Sequence, residues 1–330
     1  MKRSNFLKTL LAVAALGANS LAIAQATSPG SGQAWPSRPV KLVLGAPAGT
    51  APDTAARIMA EKLSTQWGQP VLIDNRPGAG GMIAMNFVNA ATDGHTLMFA
   101  HAGAVLVTPK IIKAAKYDPV ADFTTLGIVA DSPMMIVANN ETGEKNLADM
   151  LKTAKAKPGT VPIGSTEQAT LPYLVGHSIA ETSGATFQHV PFNQPAQAIS
   201  ALVKGDLLYY VDGIAPILPL VKAGRIKAVA VTTSQRLPGL EDIPLVMDVL
   251  PNFVAVGWFA LLGPKGMPAD VAGKINKDMN SVLGQTDVVS KMRDISMFPS
   301  PKSQADSAAF LKTEVDRWAA VIKKVGLEAQ

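Results

Sequence analysis

From Pro39 onward the chain alternates short β-branched runs with segments of helical period, the pattern of βαβ units and a largely parallel sheet. Val40-Lys41-Leu42-Val43-Leu44 reads as a first strand. The segment after it carries Ala55, Met59 and Leu63 at four-residue spacing, which puts them on one face of a helix. Val71-Leu72-Ile73 reads as a second strand running into Asp74-Asn75-Arg76-Pro77-Gly78-Ala79-Gly80-Gly81. Thr96 to Ala100 reads as a third, running into His101-Ala102-Gly103. Each strand therefore ends in a loop of small residues, and in open α/β sheets ligands lie beyond the carboxyl ends of the strands.

The alternation restarts near Gly159. Val161-Pro162-Ile163 leads to Gly164-Ser165-Thr166-Glu167 and a helix, and the strand Phe187 to Pro191 follows. Then come a helix from Ala196 to Val203, a strand from Leu207 to Val211, a helix from Ile214 to Ala223 and a strand from Lys227 to Val231. An extended run at Val256-Gly257-Trp258 precedes two late helices, the last with Leu311, Val315, Trp318, Ile322 and Val325 at three-to-four spacing. With no strands left to cover locally, these helices should return to the first lobe. The expected division is residues 35–133 plus 257–330 for lobe 1 and 134–256 for lobe 2, crossed twice by the chain. Trp258 and Trp318 read as core or inter-lobe packing.

The first residues carry a different signal. Met1, Lys2, Arg3 and Lys8 precede an apolar stretch from Leu10 to Leu16 and then Ala22-Ile23-Ala24, the order of a secretory signal peptide. Cleavage is expected after Ala24, or after Ala26 by the triplet Ala24-Gln25-Ala26, with residues 25–34 as a disordered lead-in and a soluble mature chain in the periplasm. The stretch is shorter than the roughly 20 residues a spanning helix needs. Composition then narrows the chemistry. The chain has no cysteine, which removes disulfides, thiolate nucleophiles and zinc-thiolate sites. The formal charge of +5 falls by three when Lys2, Arg3 and Lys8 leave with the leader, too little to point to nucleic acid.

Two loops hold the strongest candidate chemistry. Ala48-Gly49-Thr50-Ala51-Pro52-Asp53 lies between the first strand and its helix, and Thr50 and Asp53 have the spacing of a capping box. Gly164-Ser165-Thr166-Glu167-Gln168-Ala169-Thr170 is a second strand-to-helix loop, with hydroxyls at 165, 166 and 170, in the other lobe. Free backbone N–H groups at a helix start favour an anion, so two such loops facing each other would clamp one ligand. Gly80, His101 and Ala102, at the ends of the second and third strands, join the candidate set. Neither loop carries a P-loop or dinucleotide fingerprint, and no cofactor is expected. A serine hydrolase using Ser165 is the enzymatic alternative, but G-x-S-x-G is missing there, and His95, His101, His177 and His189 have no spacing that identifies a base. No two histidines stand at i, i+4, so no metal site is expected. His189 reads as a structural residue on an apolar strand.

Several stretches resemble the tripartite tricarboxylate-transporter extracytoplasmic solute receptors, the Bug proteins. They are Trp35-Pro36-Ser37-Arg38-Pro39-Val40, Gly68-Gln69-Pro70-Val71, Asp74 to Gly81, Asp93-Gly94-His95-Thr96-Leu97, Tyr117-Asp118-Pro119, His189-Val190-Pro191-Phe192 and Lys222 to Ala228. The likeness covers nearly the whole mature chain. It implies a type II periplasmic-binding-protein fold, α/β in class, with two lobes that close on a small organic carboxylate: a di- or tricarboxylate, an aromatic carboxylate or an acidic amino acid. It also implies a membrane permease as partner, no catalysis and a monomer; a sensor subunit on the same fold is the alternative. The family's carboxylate-holding positions fall on Ala48, Gly49, Thr50, Asp53, Ser165, Thr166 and Thr170, and its aromatic and acid on Phe192 and Asp212. The chain departs from the family pattern at Gly49-Thr50-Ala51-Pro52-Asp53, at Asn193-Gln194 in place of a basic-glycine pair, and at Glu167-Gln168 in place of small residues.

Overall fold

The described residues of the computed structural model are 35–166 and 170–327. The expected leader and lead-in, and Glu167 with Gln168, lie outside them. Chain contacts divide the molecule after Ser37, so the first unit is described only at Trp35–Ser37, and both sheets belong to the second unit.

Eleven strands are described: β1 Val40–Leu44, β2 Val71–Asn75, β3 Thr96–His101, β4 Phe123–Ser132, β5 Met134–Ala138, β6 Pro162–Thr166, β7 Gln188–Phe192, β8 Tyr209–Gly213, β9 Lys227–Val231, β10 Gly257–Pro264 and β11 Phe298–Pro299. They form a six-stranded sheet in the order β11-β4-β10-β3-β1-β2 and a five-stranded sheet in the order β7-β6-β8-β5-β9. The strands read from the sequence are present within a few residues of their expected ends. β1 pairs in parallel with β2 and β3, and β6 with β7 and β8.

The expectation of largely parallel sheets needs correction. β10 runs antiparallel to β3 and β4, β11 to β4, and β5 to β8 and β9. The reason lies in how the chain changes sheets. β4 leaves the larger sheet at Ser132, and after Pro133 alone the chain enters the smaller one as β5. The chain returns as β10 at the end where β4 left, with Gly257 opposite Ser132, so β10 must run backwards.

Helix 51–67 buries Ala55, Ala56, Met59, Ala60, Leu63 and Trp67, the face the period predicted. Each large side chain buried this way contributes about 1.5 to 3 kcal/mol of transfer free energy. Three late helices are present rather than two, at 269–283, 286–294 and 304–324, and the short β11 stands before the last. Helices 269–283 and 304–324 pack on β4, as the return to the first sheet required. The first approaches so closely that a Cβ on Gly127 of β4 would lie 2.2 Å from Met279 Cε. The second carries Trp318, only 1% exposed like Trp258 on β10. Both indoles donate to Glu314 Oε2, Trp318 at 3.1 Å and Trp258 at 3.4 Å, while Arg317 Nη1 donates to Oε1 at 3.2 Å.

Candidate functional site

The loops at the carboxyl ends of β1, β2 and β3 and those of β6 and β8 open onto one cleft between the two sheets. It holds a cavity of about 340 Å³ and an adjoining one of about 930 Å³. Pro52, His101, Thr170, Asn193, Asp212 and Phe259 line both. The smaller extends over Thr166, Leu171, Met134 and Trp258, the larger over Gly45 to Pro47 and Pro77 to Gly81. These volumes suit a small molecule.

The first loop is held from behind by Asp53. Its Oδ2 accepts from Gly49 N and from Arg57 Nε, both at 2.9 Å, and its Oδ1 accepts from Asn75 Nδ2 at 3.0 Å. The hydrogen bond from Arg57 leads in lowering its pKa to about 2, against the opposing effect of burial. The capping box expected from Thr50 and Asp53 is not formed: the Thr50 side chain makes no cap bond and donates instead to Pro47 O at 2.7 Å. Gly49 stands at φ 79°, a conformation open to glycine, and the loop turned there presents the Gly49 amide to the carboxylate. Asp53→Ala should cost about 1 to 2 kcal/mol, discounted because Arg57 is half exposed. Because the folded pKa is depressed, that stability is present above the ordinary carboxylate pKa of about 4 and is lost as pH falls toward about 2. Acid-unfolding curves of the two proteins should therefore converge at the acid end.

On the neighbouring loop, His101 Nδ1 accepts from Ala104 N at 3.2 Å, which leaves the proton of the neutral ring on Nε2. Burial pushes its pKa down to about 4, so the ring is an uncharged donor at neutral pH. Gly81 makes room for it: at φ 89°, a Cβ there would lie 2.8 Å from both His101 Nε2 and Ala104 Cβ. Thr108 Oγ1 ties the loop down through Gly80 O at 2.8 Å.

Across the cleft, β6 delivers Thr166, whose Oγ1 lies 2.6 Å from Thr170 Oγ1 at the start of helix 171–183. Ser165 is 4% exposed, and its hydroxyl donates to Thr166 O. β8 delivers Asp212, 8% exposed, with Oδ2 accepting from Tyr210 Oη at 2.6 Å and Oδ1 from Gly213 N at 2.7 Å. Burial outweighs these bonds and raises its pKa to about 6.

Of the residues singled out in the sequence, His101, Thr170 and Asp212 line both cavities, Ala102 and Thr166 the smaller, and Thr50 and Gly80 the larger. Ala48, Gly49, Asp53, Ser165 and Phe192 line neither. Phe192 packs against Gly164, where an added Cβ would meet its ring at 3.2 Å. Sequence reading missed Ser132, Met134, Leu171, Pro172 and Phe259. Ser132 and Met134 flank Pro133, at the lobe boundary expected between residues 133 and 134, but no motif marked their side chains as cleft residues. His177 and His189 stack on each other with ring centroids 3.5 Å apart, away from the cavity lining. Among the described residues no group of acids and histidines could hold a metal, and no helix is long and apolar enough to cross a membrane.

Comparison with known proteins places this architecture. Residues 55–327 match the family model described as the tripartite tricarboxylate transporter family receptor. A UPF0065 protein of Bordetella bronchiseptica is 31% identical over 308 residues, 93% of this chain and 90% of that protein. An R. palustris protein solved with adipate superposes with a TM-score of 0.80 at 28% identity, covering 90% of this chain and 100% of the other. The periplasmic binding protein BugD gives 0.77 at 27% identity, covering 90% and 100%. With nearly the whole chain matched by receptors and binding proteins rather than enzymes, this protein belongs to the tripartite tricarboxylate transporter receptor family and carries its periplasmic-binding-protein fold.

Proposed function

We propose that the protein captures a small organic carboxylate in the cleft between its two sheets and delivers it to a membrane permease. One observation carries the reading. The starts of helices 51–67 and 171–183, from the two different sheets, border the same cleft, and neither has a side-chain cap on its N–H groups. Such a start attracts anions through unpaired N–H groups and the helix dipole. Pro52 and Pro172 stand in these first turns, where their missing N–H costs nothing. His101 Nε2–H adds a neutral donor. The adipate in the R. palustris relative is a ligand of the same chemical class.

In this reading residues 35–133 with 257–330 form one lobe and 134–256 the other. They hinge at Pro133 and near Gly257, where an added Cβ would lie 2.8 Å from Ser132 O. The leader at residues 1–24 sends the chain to the periplasm. The test is a thermal-shift screen of small mono- and dicarboxylates, followed by X-ray scattering with and without the best hit. At least one carboxylate should raise the melting temperature, and saturation should shrink the radius of gyration as hinge closure excludes the water between the lobes. A screen in which no carboxylate stabilises the protein overturns capture. An unchanged radius at saturation overturns closure.

A further inference from the structure

The charge of the cleft narrows what it can hold. Among the described residues, none that lines either cavity is a lysine or arginine. Residues 167–169, Glu-Gln-Ala, bring none in the sequence either. The arginines nearest in the chain to the first loops are engaged elsewhere. Arg57 pairs with Asp53 at 2.9 Å, while Arg76 pairs with Asp74 at 3.1 Å and lies over the Phe87 ring. Asn193 and Gln194, which line the cleft from the start of helix 195–204, are neutral.

Among the described residues, two ionisable side chains remain in the lining, His101 and Asp212. The first is an uncharged donor. The second is a carboxylate above its titration range, with one hydrogen bond on each oxygen and no cationic partner among the described ion pairs. Each oxygen keeps acceptor capacity. A second ligand carboxylate beside it would bring like charges together in a poorly solvated space with nothing to neutralise them, an arrangement that costs strongly. A hydroxyl or ammonium there would complete the buried acid. Met134, Leu171, Pro172, Trp258 and Phe259 supply an apolar wall between the polar ends.

We infer that the preferred ligand is a monocarboxylate that also carries a hydrogen-bond donor, an ammonium or a hydroxyl, which Asp212 accepts, and that a second negative charge is selected against. This rests on the carboxylate reading above and deepens it. The test uses probes matched in length: caproate, adipate, ε-aminocaproate, ε-hydroxycaproate and norleucine, titrated calorimetrically at about pH 8, where Asp212 is ionised. At least one amino or hydroxy acid should bind roughly 10- to 100-fold more tightly than both caproate and adipate, the effect of one hydrogen bond to a charged group. In Asp212→Asn that advantage over caproate should fall to a few-fold, and adipate should bind better than in the wild type. Melting curves of the variant check that it folds, and the wild-type ranking stands as a test without it. Adipate binding the wild type as tightly as every amino and hydroxy acid overturns the inference while leaving carboxylate capture intact. Failure of all five probes, together with a failed carboxylate screen, overturns both.

Discussion

Glu314→Ala should lower the free energy of unfolding by about 3 to 5 kcal/mol, the cost of leaving buried polar partners uncompensated. The carboxylate accepts from two indole N–H groups that are almost wholly buried, Trp258 from the central strand of the larger sheet and Trp318 from the last helix. Alanine removes the acceptor for both, leaves Arg317 without its carboxylate, and opens a void between the last helix and β10. Glu314→Gln keeps the shape and one acceptor oxygen and should recover most of the loss. Denaturant unfolding with an unchanged slope measures it. A loss below about 1 kcal/mol for the alanine variant would mean that water reaches the indoles and that the contact is peripheral to stability.

Methyl esterification of the captured carboxylate should weaken binding by about 30- to 1,000-fold, or about 2 to 4 kcal/mol. Among the described residues the cleft lining has no lysine or arginine, so in the proposed mode the ligand's charge is met by backbone N–H groups at two helix starts and by the neutral His101 ring. Hydrogen bonds to a charged acceptor are roughly twice as strong as neutral ones, and the ester loses that advantage at every donor together. Calorimetry on the acid and its ester, for whichever compound the screen returns, gives the ratio. An ester that binds as well as its acid would remove the anion from the recognition.

Much of this was legible in the chain. The spacing of Ala55, Met59 and Leu63, and of Leu311, Trp318 and Ile322, identified buried helix faces because a helix repeats its environment every three or four residues. The small-residue loops after β1, β2, β3 and β6 were visible for the same local reason. β4 and β5 were not read, since Phe123 to Ala138 is an apolar-rich run without a clean period and only Ser132-Pro133 breaks it. Spacing also misled at Thr50 and Asp53. The pattern fits a box, yet the backbone turn at Gly49 offers the carboxylate a different amide. Ser132 and Phe259 reach the cleft through the pairing of strands far apart in sequence, which no local pattern encodes.

The position of β10 also governs the order in which the molecule can be assembled. It lies between β3 and β4, and without it the larger sheet is two fragments, β2-β1-β3 and β4-β11, that share no strand pairing. The smaller sheet is built from one continuous stretch, β5 to β9, all of it synthesised before Gly257. A chain emerging from its amino end can therefore complete the smaller sheet while the larger is still severed. The last step joins strands across long loops, the slow kind of closure. Until then the facing edges of β3 and β4 remain open, and the nascent chain is most exposed to wrong pairing there, in the interval between the last residue of β9 and the first of β10.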